Sequence, residues 1–148
     1  MILIKNTQSA ATIDTAAVKK DTQKLLTFLG YEDFDICIWF TTNKTIGRYN
    51  KQYRDINKAT DILSFPYHPD LEPGERILPS TPDDKNLGDI IMAPEYIHNT
   101  LEKWDTTFEK HLRTLLAHGI CHLLGYTHET DDDYEIMQEQ EKLLLKQL

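Results

Sequence analysis

Apolar residues recur at two different periods along this chain, and the changes of period mark its elements. The opening "MILIKN" is a short apolar run that predicts a strand. Asp14 can N-cap a helix carrying Ala17, Val18, Leu25, Phe28 and Leu29 on one side, with Gly30 as its stop. In "FDICIWFT", Phe34, Ile36, Ile38 and Phe40 alternate with Asp35, Cys37 and Trp39, the pattern of a strand at least partly covered on both faces. Residues 43–57 return to a helical period. Ile46, Tyr49, Tyr53 and Ile56 make its apolar stripe, while Lys44, Arg48, Lys51 and Lys58 lie off it at three- and four-residue steps. Arg54 falls one turn from both Lys51 and Lys58. "TDILSFPY", ended by Pro66, and "LGDIIMAP" predict a third and a fourth strand.

Between those two strands, from about Tyr67 to Asn86, four prolines and one glycine interrupt any period. Loops of this length are uncommon in a compact domain and are usually functional or mobile. Everything after Pro94 reads as helix. A short one holds Ile97, Leu101 and Trp104. A longer one opens with a capping box of Thr106 and Glu109. Its Phe108, Leu112, Leu115, Leu116, Ile120 and Leu123 cover much of the circumference, which predicts deep burial. Thr130 and Asp133 form a second box before a last helix with Ile136, Met137, Leu143 and Leu144. No repeat, low-complexity tract or linker divides the chain, so residues 1–148 read as a single domain.

Composition agrees with a globular chain: 40% of its 148 residues are hydrophobic and 27% charged. No apolar run approaches the roughly 20 residues of a membrane span, and "MILIKNTQSA" has neither an export nor a transit pattern. The expectation is a cytoplasmic protein, or one of an organellar matrix, with no membrane partner. Cys37 and Cys121 sit in apolar segments and read as reduced core residues. The net charge of −8 alone argues against a nucleic-acid partner. Its distribution argues the other way. Lys44, Arg48, Lys51, Arg54 and Lys58 against Asp55 give a local +4, which leaves −12 for the rest.

The densest chemistry is "HGICHLLGYTH", His118 to His128. His118 and His122 are four apart and project from one helix face, close enough to share a cation at about 2.0–2.1 Å from each imidazole. Gly125 can take the left-handed conformation that ends the helix and turns the chain, so that His128 swings back to the same point. This is the ligand spacing of a zinc-protease helix and turn. A transition metal is implied, with zinc the leading identity and one ion per chain. Structural zinc sites are closed by four protein ligands, usually including cysteine. Cys121 points about 100° away from His122 around the helix and makes a poor fourth ligand. Three imidazoles and an open position describe a catalytic ion.

Zinc proteases carry a glutamate after the first histidine to move protons, and here that residue is Gly119. Glycine costs about 1 kcal/mol in a helix interior, so its presence suggests a close approach by another backbone or a substrate. Peptide hydrolysis is disfavoured. A phosphodiester has a better leaving group, and its charge can be met by a metal and a guanidinium. His111, two turns before His118, is a candidate hydrogen-bond support for a metal ligand or a packed core residue; His68 and His98 have no assignable partner.

These blocks resemble the YbeY endoribonucleases, single-metal enzymes associated with rRNA maturation. "HGICHLLGYTH" matches the family's HGxLHLxGYDH, "YNKQYRDINKATDILSFP" matches LNxxYRxxDxPTDVLSFP, and "LGDI" and "MQEQEKLLL" also correspond. The resemblance covers nearly the whole chain. It implies an α+β domain, a single zincin-like unit with a mostly parallel four-stranded sheet packed around a buried central helix. It implies zinc on His118, His122 and His128, and Arg54 in the active cleft. It also implies single-stranded RNA, rRNA included, as substrate, within ribosome biogenesis and quality control, with the ribosome or its proteins as partners and no DNA expected. Thr127 stands where the family usually has aspartate, and Ala59 where it has proline.

Beside the resemblance, Arg54 is the guanidinium suited to a bidentate phosphate clamp, and Lys44, Arg48, Lys51 and Lys58 to an RNA-backbone track. Asp89 reads equally as a hydrogen-bond acceptor behind a metal ligand or a strand-end residue, and Tyr126 as a base-stacking or packing ring. The leading expectation is a zinc-dependent, single-strand-specific endoribonuclease with His118 and Arg54 at its catalytic centre. A metal-stapled ribosome- or RNA-binding factor without catalysis and a metalloprotease are the competing readings. The acidic last segment, seven acids and two lysines from Glu129 onward, is a solvated face or a contact for basic partners.

Overall fold

Strands and helices alternate for most of the chain in the computed structural model, which describes residues 1–148. Strand β1 (Ile2–Asn6) leads into helix α1 (Thr15–Leu29), β2 (Asp35–Phe40), α2 (Asn43–Arg54), β3 (Ile62–Pro66) and β4 (Asn86–Met92). Helices α3 (Pro94–Thr100), α4 (Phe108–Leu123) and α5 (Asp131–Leu145) complete the chain. The four strands form one sheet in the order β1-β2-β4-β3. β1 and β4 flank β2 in parallel, and β3 runs antiparallel along β4 as an edge. This is the mostly parallel α+β sheet expected. None of the helices is long and apolar enough to cross a membrane.

The two-residue period of the strands divides the sheet. Ile36, Ile38, Phe40, Ile90 and Met92 face the main core with α1 and α4, where Leu25, Leu26, Leu116, Ile120 and Leu123 are buried. On the other face, Leu63, Ile91 and Ala93 pack with Ile46 of α2. Both faces of β2 are thus covered, as its alternation predicted. Helix α4 is the buried central helix, lying against β3, β4 and α5.

Several boundaries differ from the expectations, each for a local reason. Helix α2 ends at Arg54, not at residue 57, because Asp55 adopts a left-handed conformation (φ 56°). The buried Asn50 then holds the returning chain through Nδ2 to the Lys58 carbonyl at 2.9 Å, so Lys58 lies beyond the helix. The long helix is capped by Thr107, whose hydroxyl accepts from the Lys110 amide at 3.3 Å, and not by Thr106. Asp14 and Thr130 do cap α1 and α5. On α1 the buried stripe is Val18, Asp21, Thr22, Leu25 and Leu26, rotated from the apolar reading, and Phe28 and Ala17 are exposed. Arg113 of α4 reaches in to pair with Asp21 at 2.9 Å, which brings that polar residue to the buried side. On α5, Met137 and Leu144 are buried while Ile136 and Leu143 are exposed.

The long segment before β4 has one 3-10 turn, Pro82–Asp84, and is tied down at several points. Ile77 is buried and its amide donates to the Tyr31 hydroxyl at 3.1 Å. Arg76 bonds the Leu29 and Gly30 carbonyls at the end of α1. Its Leu71 carbonyl also packs directly against Gly125.

Candidate metal centre and substrate cleft

One helix and one turn bring the three histidines together. His118 and His122 share a face of α4 across one turn. Gly125 has φ 94°, and a side chain there would strike the Leu71 carbonyl, with an added Cβ only 2.1 Å from its oxygen. Glycine therefore allows both the reversal and the docking of the long segment. His128 returns so that its ring stacks on His118 (5.6 Å between centroids, 18° between planes) and stands 5.1 Å from that of His122. The three potential ligand atoms all lie within 4.8 Å of one another. The triad read from spacing is one cluster.

The chemistry of the donor set fits a divalent transition metal. His118 Nδ1 lies 2.5 Å from Glu141 Oε1, and His122 Nδ1 lies 2.9 Å from the Tyr126 carbonyl oxygen. Both acceptors require a proton on Nδ1, which leaves the Nε2 lone pairs free. Those two Nε2 atoms face each other at 3.0 Å, close to the roughly 3.3 Å edge of a tetrahedron with metal–nitrogen bonds of about 2.05 Å. Two lone pairs so placed repel unless a cation or a proton lies between them. Burial, then the neighbouring His118, push the His122 pKa down to about 4, so its ring is neutral and available as a ligand at pH 7.

Glu141 was not singled out by sequence reasoning. It sits on α5, 23 residues from His118 in sequence, with its side chain only 16% exposed. A carboxylate on the same helix face as the buried Met137 and Leu144 was the available signal, at spacings of four and three residues. Cys121 is fully buried in the core, and desolvation raises its thiol pKa strongly. It is therefore an uncharged packing residue rather than a ligand.

Gly119 has a different cause from the one expected. A Cβ there would stand 2.9 Å from Ile62 Cδ1, 3.0 Å from Ile90 Cδ1 and 3.3 Å from Ser64 Oγ. Side chains of β3 and β4, not a backbone or a substrate, occupy the space. A glutamate at this position would collide with the sheet on which α4 rests.

The histidines open into a cleft of about 530 Å³. Arg54, at the end of α2, lines it, as do Thr60 to Ser64 of the edge strand and its approach. His68, Pro69 and Leu71 of the long segment form its other wall, with His68 Nε2 held 2.8 Å from the Asp84 carbonyl oxygen. The sequence offered no partner for His68, because that partner comes from the far end of the same loop. Lys44, Arg48, Lys51 and Lys58 do not line this cleft. They surround a separate concavity of about 450 Å³ along α2, where Gly47 lets the loop at Lys58 and Ala59 pass close. Lys51 also pairs with Asp55 at 2.7 Å.

The remaining candidates resolve individually. Asp89 is exposed in the middle of β4, opposite Cys37 and Phe65, and is neither a strand-end residue nor part of the cleft. His111 supports no metal ligand; it stacks on Trp104 at 5.4 Å and 23°. His98 stacks on Phe108. The Tyr126 ring packs against the core, and its carbonyl oxygen is what serves the metal site. Thr127, the departure beside the third ligand, donates to Asp133 Oδ2 at 3.3 Å and ties the turn to the start of α5.

Comparison with known proteins agrees with this arrangement. The family model for endoribonuclease YbeY matches residues 3–148. Human endoribonuclease YbeY is 40% identical over 148 residues, spanning 99% of this chain and 87% of that protein. The enzyme of the same name from Clostridioides difficile is 34% identical over 125 residues, covering 83% of this chain and 78% of its own length. Among solved structures, a solution structure of a Thermotoga maritima protein superposes with a TM-score of 0.63 at 25% identity, over 99% of this chain and 88% of the other.

Proposed function

The chain belongs to the YbeY endoribonuclease family, a family of hydrolytic nucleases, and from that premise we propose that it is a zinc-dependent endoribonuclease specific for single strands. Its substrates are rRNA precursors and rRNA of defective ribosomes, in the cytoplasm or an organellar matrix, with the ribosome as partner. The observation that carries this reading is the meeting of three imidazole donors with an unpaired guanidinium in one cleft.

His118, His122 and His128 hold the ion. Bound there, zinc supplies Lewis-acid polarisation of a phosphoryl oxygen and a lowered pKa for water. Glu141 and the Tyr126 carbonyl fix the ring orientations of His118 and His122 and keep their Nε2 atoms unprotonated. Arg54, with no acid partner of its own, donates two N–H groups to the non-bridging oxygens of the scissile phosphate. Charge building on those oxygens in the transition state strengthens that contact. Lys44, Arg48, Lys51 and Lys58 take the phosphates of the flanking strand. An RNA single strand can bend from that concavity over Thr60 and Asp61 into the cleft, whereas a duplex keeps its phosphates at a fixed spacing.

One observation favours a further role for the ion. The His118–Glu141 bond joins α4 to α5, so one candidate ligand of the ion also ties the last helix to the domain. Comparing His118→Ala with Arg54→Ala separates the two roles. If the first unfolds the domain while neither changes RNA cleavage, the ion is a structural staple and the protein a binding factor. The primary test is cleavage of a labelled single-stranded RNA before and after exhaustive chelation, with a duplex of the same sequence alongside. Loss on chelation, restored by zinc, is expected; full cleavage by metal-free protein overturns the proposal.

A further inference from the structure

The cleft does not end at the metal centre. On the far side of His118 lies a second concavity of about 470 Å³, which shares Asp61, Ile62 and His118 with the first. Its character is opposite. No lysine or arginine lines it, and it presents the carboxylates of Asp61 and Asp105 and the Trp104 ring. Trp104 is 54% exposed, an unusual position for the largest apolar side chain. It is not loose, because the buried His111 lies nearly parallel beneath it, 5.4 Å away. One indole face is thus supported and the ring is held as a platform.

The polar groups are mostly acceptors. Asp61 Oδ1 accepts from the Ile62 amide at 2.8 Å and from the Thr60 hydroxyl at 3.4 Å, which orients the carboxylate and leaves Oδ2 without a partner. Thr114 donates its proton to the Lys110 carbonyl at 3.1 Å, so its remaining capacity toward the cavity is as an acceptor. A phosphate is repelled by such a lining. An uncharged planar group with N–H donors on its edge is matched by it, and the volume suits a nucleobase.

We infer that this concavity, resting on the nuclease reading above, is a base-binding subsite next to the scissile phosphate. Trp104 stacks a nucleobase, and Asp61 Oδ2 accepts from that base's exocyclic amino group. Adenine and cytosine carry such a group and uracil does not. The strand therefore runs from the basic concavity on α2, past Arg54 and the metal centre, and anchors one base on the other side.

The chain's two tryptophans, Trp39 and Trp104, make this measurable. In a Trp39→Phe background all indole emission comes from Trp104. The probes are 2′-O-methyl hexanucleotides of A, C or U, which cannot be cut through a 2′-hydroxyl and whose integrity is checked by gel after each titration, each carrying a fluorescent label for anisotropy. The expected result is quenching of Trp104 on binding, with the A and C strands held about tenfold more tightly than U. Asp61→Asn, which keeps the oxygen facing the Ile62 amide but replaces Oδ2 with a donor, should erase or reverse that preference. If Trp39→Phe does not fold, the difference in emission between the native chain and Trp104→Phe gives the same readout. Strands that bind by anisotropy while Trp104 emission and the base preference stay unchanged overturn the subsite and leave the nuclease reading in place. Strands that do not bind at all overturn both.

Discussion

The two flanks of the metal centre differ in almost every physical respect although they share His118 and Asp61. The flank toward α2 is cationic, with Arg54 at the histidines and four more basic residues beyond. The flank toward the start of α4 is anionic and aromatic, built from Asp61, Asp105 and Trp104. As proposed, one side takes phosphates, which every nucleotide has, and the other takes base edges, which differ. On the proposed reading, the contrast accounts for how a chain of net charge −8 would hold RNA: its positive charge is concentrated where the backbone would lie.

Substitutions on each side, and at the centre they share, should break this division in different ways. His122→Ala removes one imidazole of the centre that lies between the flanks and should lower single-strand RNA cleavage by about a thousandfold or more, with circular dichroism confirming a folded chain. Arg54→Ala should cost about a hundredfold, mostly in kcat, with metal content unchanged. Arg54→Lys should restore only part of that, because an ammonium cannot form the bidentate contact. Glu141→Gln acts through the His118 ring, and should weaken metal affinity by about tenfold to a hundredfold in a chelator competition. Lys44→Ala or Arg48→Ala should raise KM only a few-fold, leave kcat unchanged, and lower the slope of log affinity against log salt by about one each. An equal loss of kcat from Lys44→Ala and Arg54→Ala would erase the distinction between track and clamp.

Much of the frame was legible in the sequence. Short apolar runs, alternating in β2, placed all four strands, and "HGICHLLGYTH" gave the histidine cluster because helix geometry and one glycine fix its shape locally. What was not legible depends on distant pairings. Glu141 reaches His118 only after α5 folds back on α4. His68 enters the cleft because the long loop closes on itself at Asp84. Trp104 looked like part of an apolar helix face, and its exposure follows from the chain leaving α3 and a short 3-10 turn before reaching it. Gly119 was read as a sign of a close backbone or a substrate, but packing against the Ile62 and Ile90 side chains decides it. The end of α2 was set by Asp55 and Asn50, whose left-handed turn and side-chain bond no periodicity records.

The account rests on three imidazoles gathering one divalent cation. Elemental analysis of the purified chain, run beside its His122→Ala variant, tests this most directly. One zinc per native chain and a small fraction of that in the variant is the predicted result. Equal metal content in the two proteins, or none in a native chain that still cuts RNA, would contradict it.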